Sequence, residues 1–430
     1  VLEGFRVHGK DFADLMRSTL NPEVIRHLEI CGRIGDERDT NTYAVGGFVR
    51  DLLLKRPGVD IDVVVEGDGV AYSKALVSEL GGDLQTYDDF GTATIVSDGG
   101  LRLDIASARR ETYEQPGELP KVSVGNLKDD MFRRDFTVNS MALSLNSRSL
   151  GHLVDFFSGE RDISRGMIRV LHDKSFEDDP TRILRAIRFE TRFGFNIEPK
   201  TERLIQEALS SGMLGRLTPE RKRYELELML SEEKAAVSIE RMRKLKVLRH
   251  LAPGLKSPTK KEMERIGAGI EEFGKRLRLK RWFVYIISLI DTLPISQAVE
   301  FGKSIALKKK ELRKVIQVKM SKQGVRGLET EEPITPSSVF RVLEPLSPEG
   351  LVYYYSLQKK QTARERFARY LRKDRGTRLL MTGDDLKRLR VTEGPIYKEV
   401  LQRVLDARID GEVLSLDDEI RLARKIVEAS

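Results

Sequence analysis

The sequence predicts an α+β chain: a small mixed β-sheet backed by helices at the N-terminal end, followed by a long all-helical remainder. Two observations carry that prediction. Up to about residue 145, short apolar runs with strand-like alternation are interleaved with helical patterns. From about Phe176 onward the apolar residues recur at helical spacing in long amphipathic stretches, and convincing strands disappear. With 430 residues, 40% of them hydrophobic and 33% charged, the chain has room for two to four domains and the composition of a globular protein rather than a disordered one.

In chain order, TYAV (42–45) reads as a strand and 47–54 as a helix. DIDVVVE (60–66) is the next strand and 70–80 the next helix; TATIVS (92–97), LRLDIAS (101–107) and MALSL (141–145) complete the sheet. RRETYEQPGELPKVSVGNLK (109–128), with two prolines and two glycines, reads as a long polar loop. Loops of that length in a compact domain are functional, mobile, or plain surface connections. PTRILRAIRFETRFGF, TERLIQEALSSGML and LKKKELRKVIQVKMS are amphipathic helices, with breaks at Pro253–Pro258 and 327–338.

Composition narrows the function classes. No run of eighteen apolar residues occurs, so no membrane-spanning helix is expected. The opening VLEGFRVHGKDFADLM carries acids and lacks the long apolar core of a secretory signal. Cys31 is the only cysteine, which excludes an internal disulfide and a cysteine-based zinc cluster and predicts a reducing, cytoplasmic setting. The five histidines are scattered without metal-ligand spacing and read as structural or surface residues. The net charge of +8 points to a polyanionic partner.

The stretch VDIDVVVEGDG (59–69) carries the chemistry. Strand alternation places Asp60 and Asp62 on one face and Ile61 and Val63 on the other. Two carboxylates so close repel each other, and a cation between them is expected. Just upstream, in YAVGGFVRDLLL, Gly46 and Gly47 permit a sharp turn into a helix whose N-terminus suits phosphate, with Arg50 on its first turn as a phosphate grip. Alone, this is also a common turn. Next to paired carboxylates it points to Mg²⁺, which takes one or two carboxylates together with substrate phosphates. Asp104, flanked by Leu103 and Ile105, faces opposite to both. If its strand lies beside the Asp60–Asp62 strand, three carboxylates converge as two-metal nucleotidyl transfer requires; otherwise Asp104 is a solvated strand acid.

In DDPTRILRAIRF (178–189), Pro180 favours a helix start with Asp179 at the cap, and Arg182 and Arg185 project from the first turns. Cytosine and adenine both present an exocyclic amino donor beside a ring-nitrogen acceptor, so an Asp acceptor beside an Arg donor matches C and A and mismatches U and G. The plain alternative is that Asp179 caps its helix and the arginines form a solvated face.

GGFVRD…DIDVVVEG, RRDFTVNSMAL (133–143), DFFSGERDI (155–163) and DDPTRILRAIRF stand in the order found in class II tRNA nucleotidyltransferases. Those enzymes belong, with the bacterial poly(A) polymerases, to the DNA polymerase beta superfamily. The chain resembles them in detail over residues 40–230 and more weakly through 381–413. The resemblance implies template-independent addition of C and/or A from CTP and ATP to the tRNA 3′ end, by a CCA-adding or A-adding enzyme that releases pyrophosphate. It implies an N-terminal helix and head over 1–145, a base-recognising neck over 146–215, and a helical body (216–330) and tail (331–430) that hold tRNA. Mg²⁺ falls to Asp60 and Asp62, with Asp104 as the third catalytic acid. Triphosphate contacts fall to Gly46, Gly47, Arg50 and Arg134, the ribose to Asp135 and Asn139, and the base to Asp179, Arg182 and Arg185. Where the family usually has Glu-Asp before the proline, this chain has Asp178-Asp179.

The basic segments 275–281, 307–314 and 358–375 are either solvated helix faces or grips for tRNA phosphates. The nearest alternative function is a bacterial poly(A) polymerase, although DDFGTATIV (88–96) lacks the basic pair before Phe90 associated with polyadenylating members. A non-catalytic tRNA-binding protein is a further alternative, disfavoured by the intact Asp60–Asp62 pair. Addition of CCA, CC only or A only stays open, as does the oligomeric state.

Overall fold

The computed structural model describes residues 11–56, 58, 60–88, 91–389 and 394–428. The chain divides into two compact units at Leu217 and Thr218. The strands of the first unit are β1 (Thr42–Val45), β2 (Ile61–Val65), β3 (Asp83–Tyr87), β4 (Thr92–Val96), β5 (Arg102–Ser107), β6 (Arg109–Thr112), β7 (Lys121–Val124), β8 (Ala142–Ser144), β9 (Leu153–Val154), β10 (Met167–Ile168) and β11 (Asn196–Ile197). Its helices are α1 (Ala13–Thr19), α2 (Pro22–Glu37), α3 (Gly47–Leu53), α4 (Gly69–Leu80), α5 (Leu127–Phe132), α6 (Gly159–Arg165), α7 (Ser175–Asp178), α8 (Thr181–Phe193), α9 (Pro199–Ser210) and α10 (Met213–Arg216).

Seven strands form one mixed sheet in the order β3-β4-β5-β2-β1-β8-β9. Only the β2–β5 pair is parallel. The alternation of β2 decides which face is which. Ile61, Val63 and Val65 enter a core with Ala44, Leu103, Ile105 and residues of α2 and α4, including Leu28, Cys31 and Leu76. Full burial of a Val or Ile side chain is worth about 1.5–3 kcal/mol, and a slip of one residue would expose all three. The opposite face packs Val45, Val64 and Ala142 under Leu127 and Met131 of α5.

The predicted sheet-plus-helices head is present, with differences in detail. The segment 109–128 is not an open loop: β6 and β7 pair antiparallel from Arg109↔Val124 to Thr112↔Lys121, and α5 follows. Every residue of β7 is solvent-exposed, so no buried face left an apolar period to read. The edge strand β3, sequence DLQTY, escaped recognition because its alternation is between half-buried and exposed positions. The neck, expected to be all-helical, contains the two-residue parallel pair β10–β11.

Among the described residues the second unit is helical throughout, from Pro219–Ser231 to Leu416–Glu428. Every residue from Trp282 to Ile290 in the helix Arg281–Ile290 is buried. A separate cluster near the end of the chain joins Met381, Leu386, Val400, Val404, Ala423 and Ile426. The weakly matching 381–413 stretch is helical at Gly383–Arg388 and Pro395–Asp410, and residues 390–393 lie outside the described ones. Several cations of the basic segments are committed within this unit: Lys314 pairs with Glu349 at 2.9 Å and Arg372 with Glu272 at 2.8 Å. Among the described residues no helix is long and apolar enough to cross a membrane.

Candidate active site

β1 delivers the chain to Gly46 at φ +68°, ψ −124°, a conformation that side chains rarely adopt. The absence of a side chain has a second use. A Cβ on Gly46 would collide with Nη1 of Arg134, so the guanidinium lies directly against the glycine turn at the start of α3. Arg134 is held there by the fully buried Asp130 at 3.0 Å, which also pairs with Arg133 at 2.7 Å.

The register of the neighbouring strands assembles the acidic side. Parallel pairing sets Asp62 opposite Asp104, and antiparallel pairing sets Asp104 opposite Thr94. Directly opposed residues in a sheet share a face. A cavity of about 290 Å³ opens over this face, lined by Asp62, Asp104, Thr92, Thr94, Tyr87, Arg133 and Arg134 among others. Asp62 keeps contact with solvent in the open cleft, yet protein surrounds its carboxylate on several sides. That desolvation raises its pKa above the usual carboxylate value; Asp104 and Asp60 raise it further, while Arg134 and Arg102 oppose the rise.

Asp104 reaches the expected face, opposite Asp62, but its carboxylate is already engaged there. Its Oδ1 accepts from Thr94 Oγ1 at 2.6 Å and Arg102 Nη2 at 3.0 Å, and its Oδ2 from Arg102 Nε at 3.0 Å. Among the described residues no group of three or more His, Cys, Asp or Glu side chains is close enough to hold a metal ion. The strand pairing that was to bring three carboxylates together does occur, but Arg102 and Thr94 hold the third. Among those same residues, neither Asp60 nor Asp62 accepts a hydrogen bond from protein. Their oxygens fit the donor set of a hard divalent cation.

Beside the cleft runs a buried polar chain. Arg185 of α8 donates through Nε (2.9 Å) and Nη2 (2.6 Å) to Oδ2 of Asp135. Oδ1 of Asp135 accepts from the Phe136 amide and from Asn139 Nδ2, both at 2.8 Å. Oδ1 of Asn139 accepts in turn from Arg50, which also pairs doubly with Asp51 and lies over the Phe193 ring, 4.6 Å from its centroid. Burial opposes ionisation of Asp135, but the Arg185 charge and the bonds from Asn139 and Arg185 outweigh it, and the pKa falls from 3.8 to about 2.

Several residues expected to meet the nucleotide are therefore turned inward. Arg50 is 5% exposed and braces α3 instead of presenting itself to phosphate, and Asp135 and Asn139 are buried against each other. Asp179, one residue before the N-cap Pro180 of α8, accepts through Oδ1 from the Thr181 amide at 2.9 Å and the Thr181 hydroxyl at 2.5 Å. Arg182 is 4% exposed and donates to Ser175 Oγ and to the Arg133 carbonyl, both at 2.7 Å. A buried guanidinium must satisfy its donors, and these acceptors lie nearest. Gly46, Arg134, Asp62 and Asp104 stand where the sequence put them, around one cleft. Asp130, Thr94 and Tyr87 were not anticipated. The four-residue spacing of Asp130, on α5, and Arg134, just past its end, is a local signal of their pairing, whereas nothing local marked Thr94 or Tyr87.

Comparison with known proteins follows the same geography. Residues 42–169 match the poly A polymerase head domain, and 194–257 match the family described as "Probable RNA and SrmB- binding site of polymerase A". An A-adding tRNA nucleotidyltransferase of Halalkalibacterium halodurans is 32% identical over 97% of this chain and 96% of its own length. The chain belongs to the tRNA nucleotidyltransferase/bacterial poly(A) polymerase family. Another member, an A-adding tRNA nucleotidyltransferase of Geobacter sulfurreducens, is 37% identical across the whole chain, which spans only 50% of that relative's length. Among solved structures of the family, a CCA-adding enzyme in its apo form superposes with a TM-score of 0.88 at 32% identity, covering 98% of this chain and 99% of its own.

Proposed function

We propose that this protein is a template-independent tRNA nucleotidyltransferase that works in the cytoplasm with Mg²⁺. The single observation that carries the reading is the pairing of Asp62 with Asp104 on a sheet face beside the Gly46–Arg134 corner. Triphosphate lies at that corner, where Arg134 and the backbone of the glycine turn meet its charge. The tRNA 3′-hydroxyl releases its proton to solvent as its oxygen bonds to the α-phosphorus of the nucleoside triphosphate, the bond from that phosphorus to the bridging oxygen breaks, and pyrophosphate leaves. Asp60 and Asp62 would hold Mg²⁺, which when bound neutralises the phosphates and lowers the pKa of the attacking hydroxyl. Asp104, oriented by Arg102 and Thr94, adds negative charge on the hydroxyl side.

The base is read at the α7–α8 corner by Asp179, Arg182 and Arg185, the role that the resemblance of DDPTRILRAIRF (178–189) to the family's motif implies. Arg182 exchanges its bonds to Ser175 and the Arg133 carbonyl for the base on nucleotide binding. The nucleotide added is A, onto tRNA ending in CC: two relatives that span 97% or more of the chain are named A-adding. A second reading, addition of the whole CCA, is favoured by the likeness over 98% of the chain to CCA-adding enzyme structures complexed with ATP and with CTP. Incubation with tRNA ending at the discriminator, at C and at CC, each with a single labelled nucleotide, separates them. Incorporation of A alone, on CC ends alone, supports the first reading. Addition of C to shorter ends supports the second, and no incorporation on any end overturns both.

A further inference from the structure

The cleft has two sides, and the proposed function occupies one. The Gly46–Arg134 corner lies on the β1 side of Asp62, so the leaving pyrophosphate departs there. In an in-line displacement the nucleophile enters from the opposite side. In this sheet that side is β5, β4 and β3. The strand registers define what lies on it. One cross-strand row runs Asp62, Asp104, Thr94, Gln85; the adjacent row runs Val64, Ala106, Thr92, Tyr87. Tyr87 thus shares the face of the carboxylates, three strand spacings or about 14 Å from β2. Its side chain lines the same cavity as Asp62 and Asp104 and is 45% exposed. Arg102, locked onto Asp104 but half open to solvent, supplies a cation at the same edge.

A single exposed aromatic ring is ordinary on a protein surface. An exposed ring within the cavity of a polyanion-handling site, on the side where the nucleophile must enter, is placed to stack a base. We infer that Tyr87 is the acceptor-side platform of this site and stacks the 3′-terminal base of the RNA. The inference rests on the proposed function, because it takes the entering strand to be RNA. Sequence-tolerant stacking of this kind holds a terminal nucleotide whichever base it carries.

The test uses the full chain, tRNA ending in CC and two variants, Tyr87→Ala and Tyr87→Phe. Tyr87→Ala raises the KM for tRNA about tenfold, as loss of one base–aromatic stack does, and leaves the KM for ATP and the thermal midpoint unchanged. Tyr87→Phe keeps the ring and restores wild-type behaviour. An unchanged KM for tRNA, a rise in the KM for ATP instead, or a failure of Phe to restore overturns the inference. Independently of turnover, 2-aminopurine placed at the RNA 3′ end has its fluorescence quenched on binding wild type and not on binding Tyr87→Ala. Quenching that depends on Tyr87 in a protein that incorporates nothing overturns the proposed function alone. Quenching equal in both proteins, or absent, overturns the stacking role.

Discussion

Asp135→Asn probes the buried chain that ties α8 to α3. The Asp135 carboxylate accepts only: the Phe136 amide and Asn139 Nδ2 reach one oxygen, and two Arg185 nitrogens reach the other. An Asn in either orientation turns an NH₂ group toward donors, which costs about 1–3 kcal/mol for the unsatisfied contacts. The lost charge adds to that. Asp135 titrates near 2 in the folded protein against an ordinary 3.8, and at 1.36 kcal/mol per pKa unit its ionisation stabilises the fold by about 2 kcal/mol. Because the folded pKa is depressed, this stabilisation is complete above the unfolded value of 3.8 and is lost as the pH falls from about 4 to 2. The expected gap between wild type and Asp135→Asn is therefore about 3–5 kcal/mol at pH 7, narrowing by about 1 kcal/mol by pH 3 and by about 2 kcal/mol only below pH 2. Urea titrations followed by circular dichroism at pH 7, 5, 4 and 3 measure it. A gap below about 1 kcal/mol at pH 7, or one constant across that range, refutes the electrostatic account of this network.

Asp62→Asn removes a carboxylate whose pKa is raised by burial and by Asp104 and Asp60, so the metal-free variant unfolds at a higher temperature than wild type. It loses incorporation and also the rise in melting temperature that Mg²⁺ gives wild type; a variant still stabilised by Mg²⁺ places the ion elsewhere. Gly46→Ala strains a positive-φ position by about 1–3 kcal/mol and displaces Arg134, raising the KM for nucleotide more than that for tRNA. Equal stability and unchanged KM values contradict that placement of Arg134. Arg182→Ala forfeits two charge-assisted bonds in the interior and lowers stability by about 2–4 kcal/mol in chemical unfolding, besides depressing incorporation of A. Loss of discrimination against UTP and GTP at full stability confines Arg182 to base reading and contradicts the bracing geometry.

What the sequence by itself determined is whatever depends on local period and local chemistry. The alternation of Ile61, Val63 and Val65 committed Asp62 to the opposite face, because those three side chains lose too much by facing water. Gly46 announced a turn that only glycine takes comfortably, and four ordered motifs named the family. The parallel pairing of β2 with β5 was anticipated only as a condition, since a contact across about forty residues leaves no trace in either strand's period.

Tertiary structure alone decided where charged side chains spend their bonds. Arginine looks the same in a sequence whether it faces phosphate or braces a helix. Arg50 and Arg182 turn inward because Asn139 and the Arg133 carbonyl reach them from distant segments and complete what the nearby Asp51 and Ser175 begin, and a buried guanidinium requires such acceptors. The β4–β5 register sets Thr94 against Asp104, and the β3–β4 register carries Tyr87 onto the same face. The β6–β7 hairpin and the edge strand β3 bury too little on either face to imprint a period, so only backbone pairing with a partner strand reveals them.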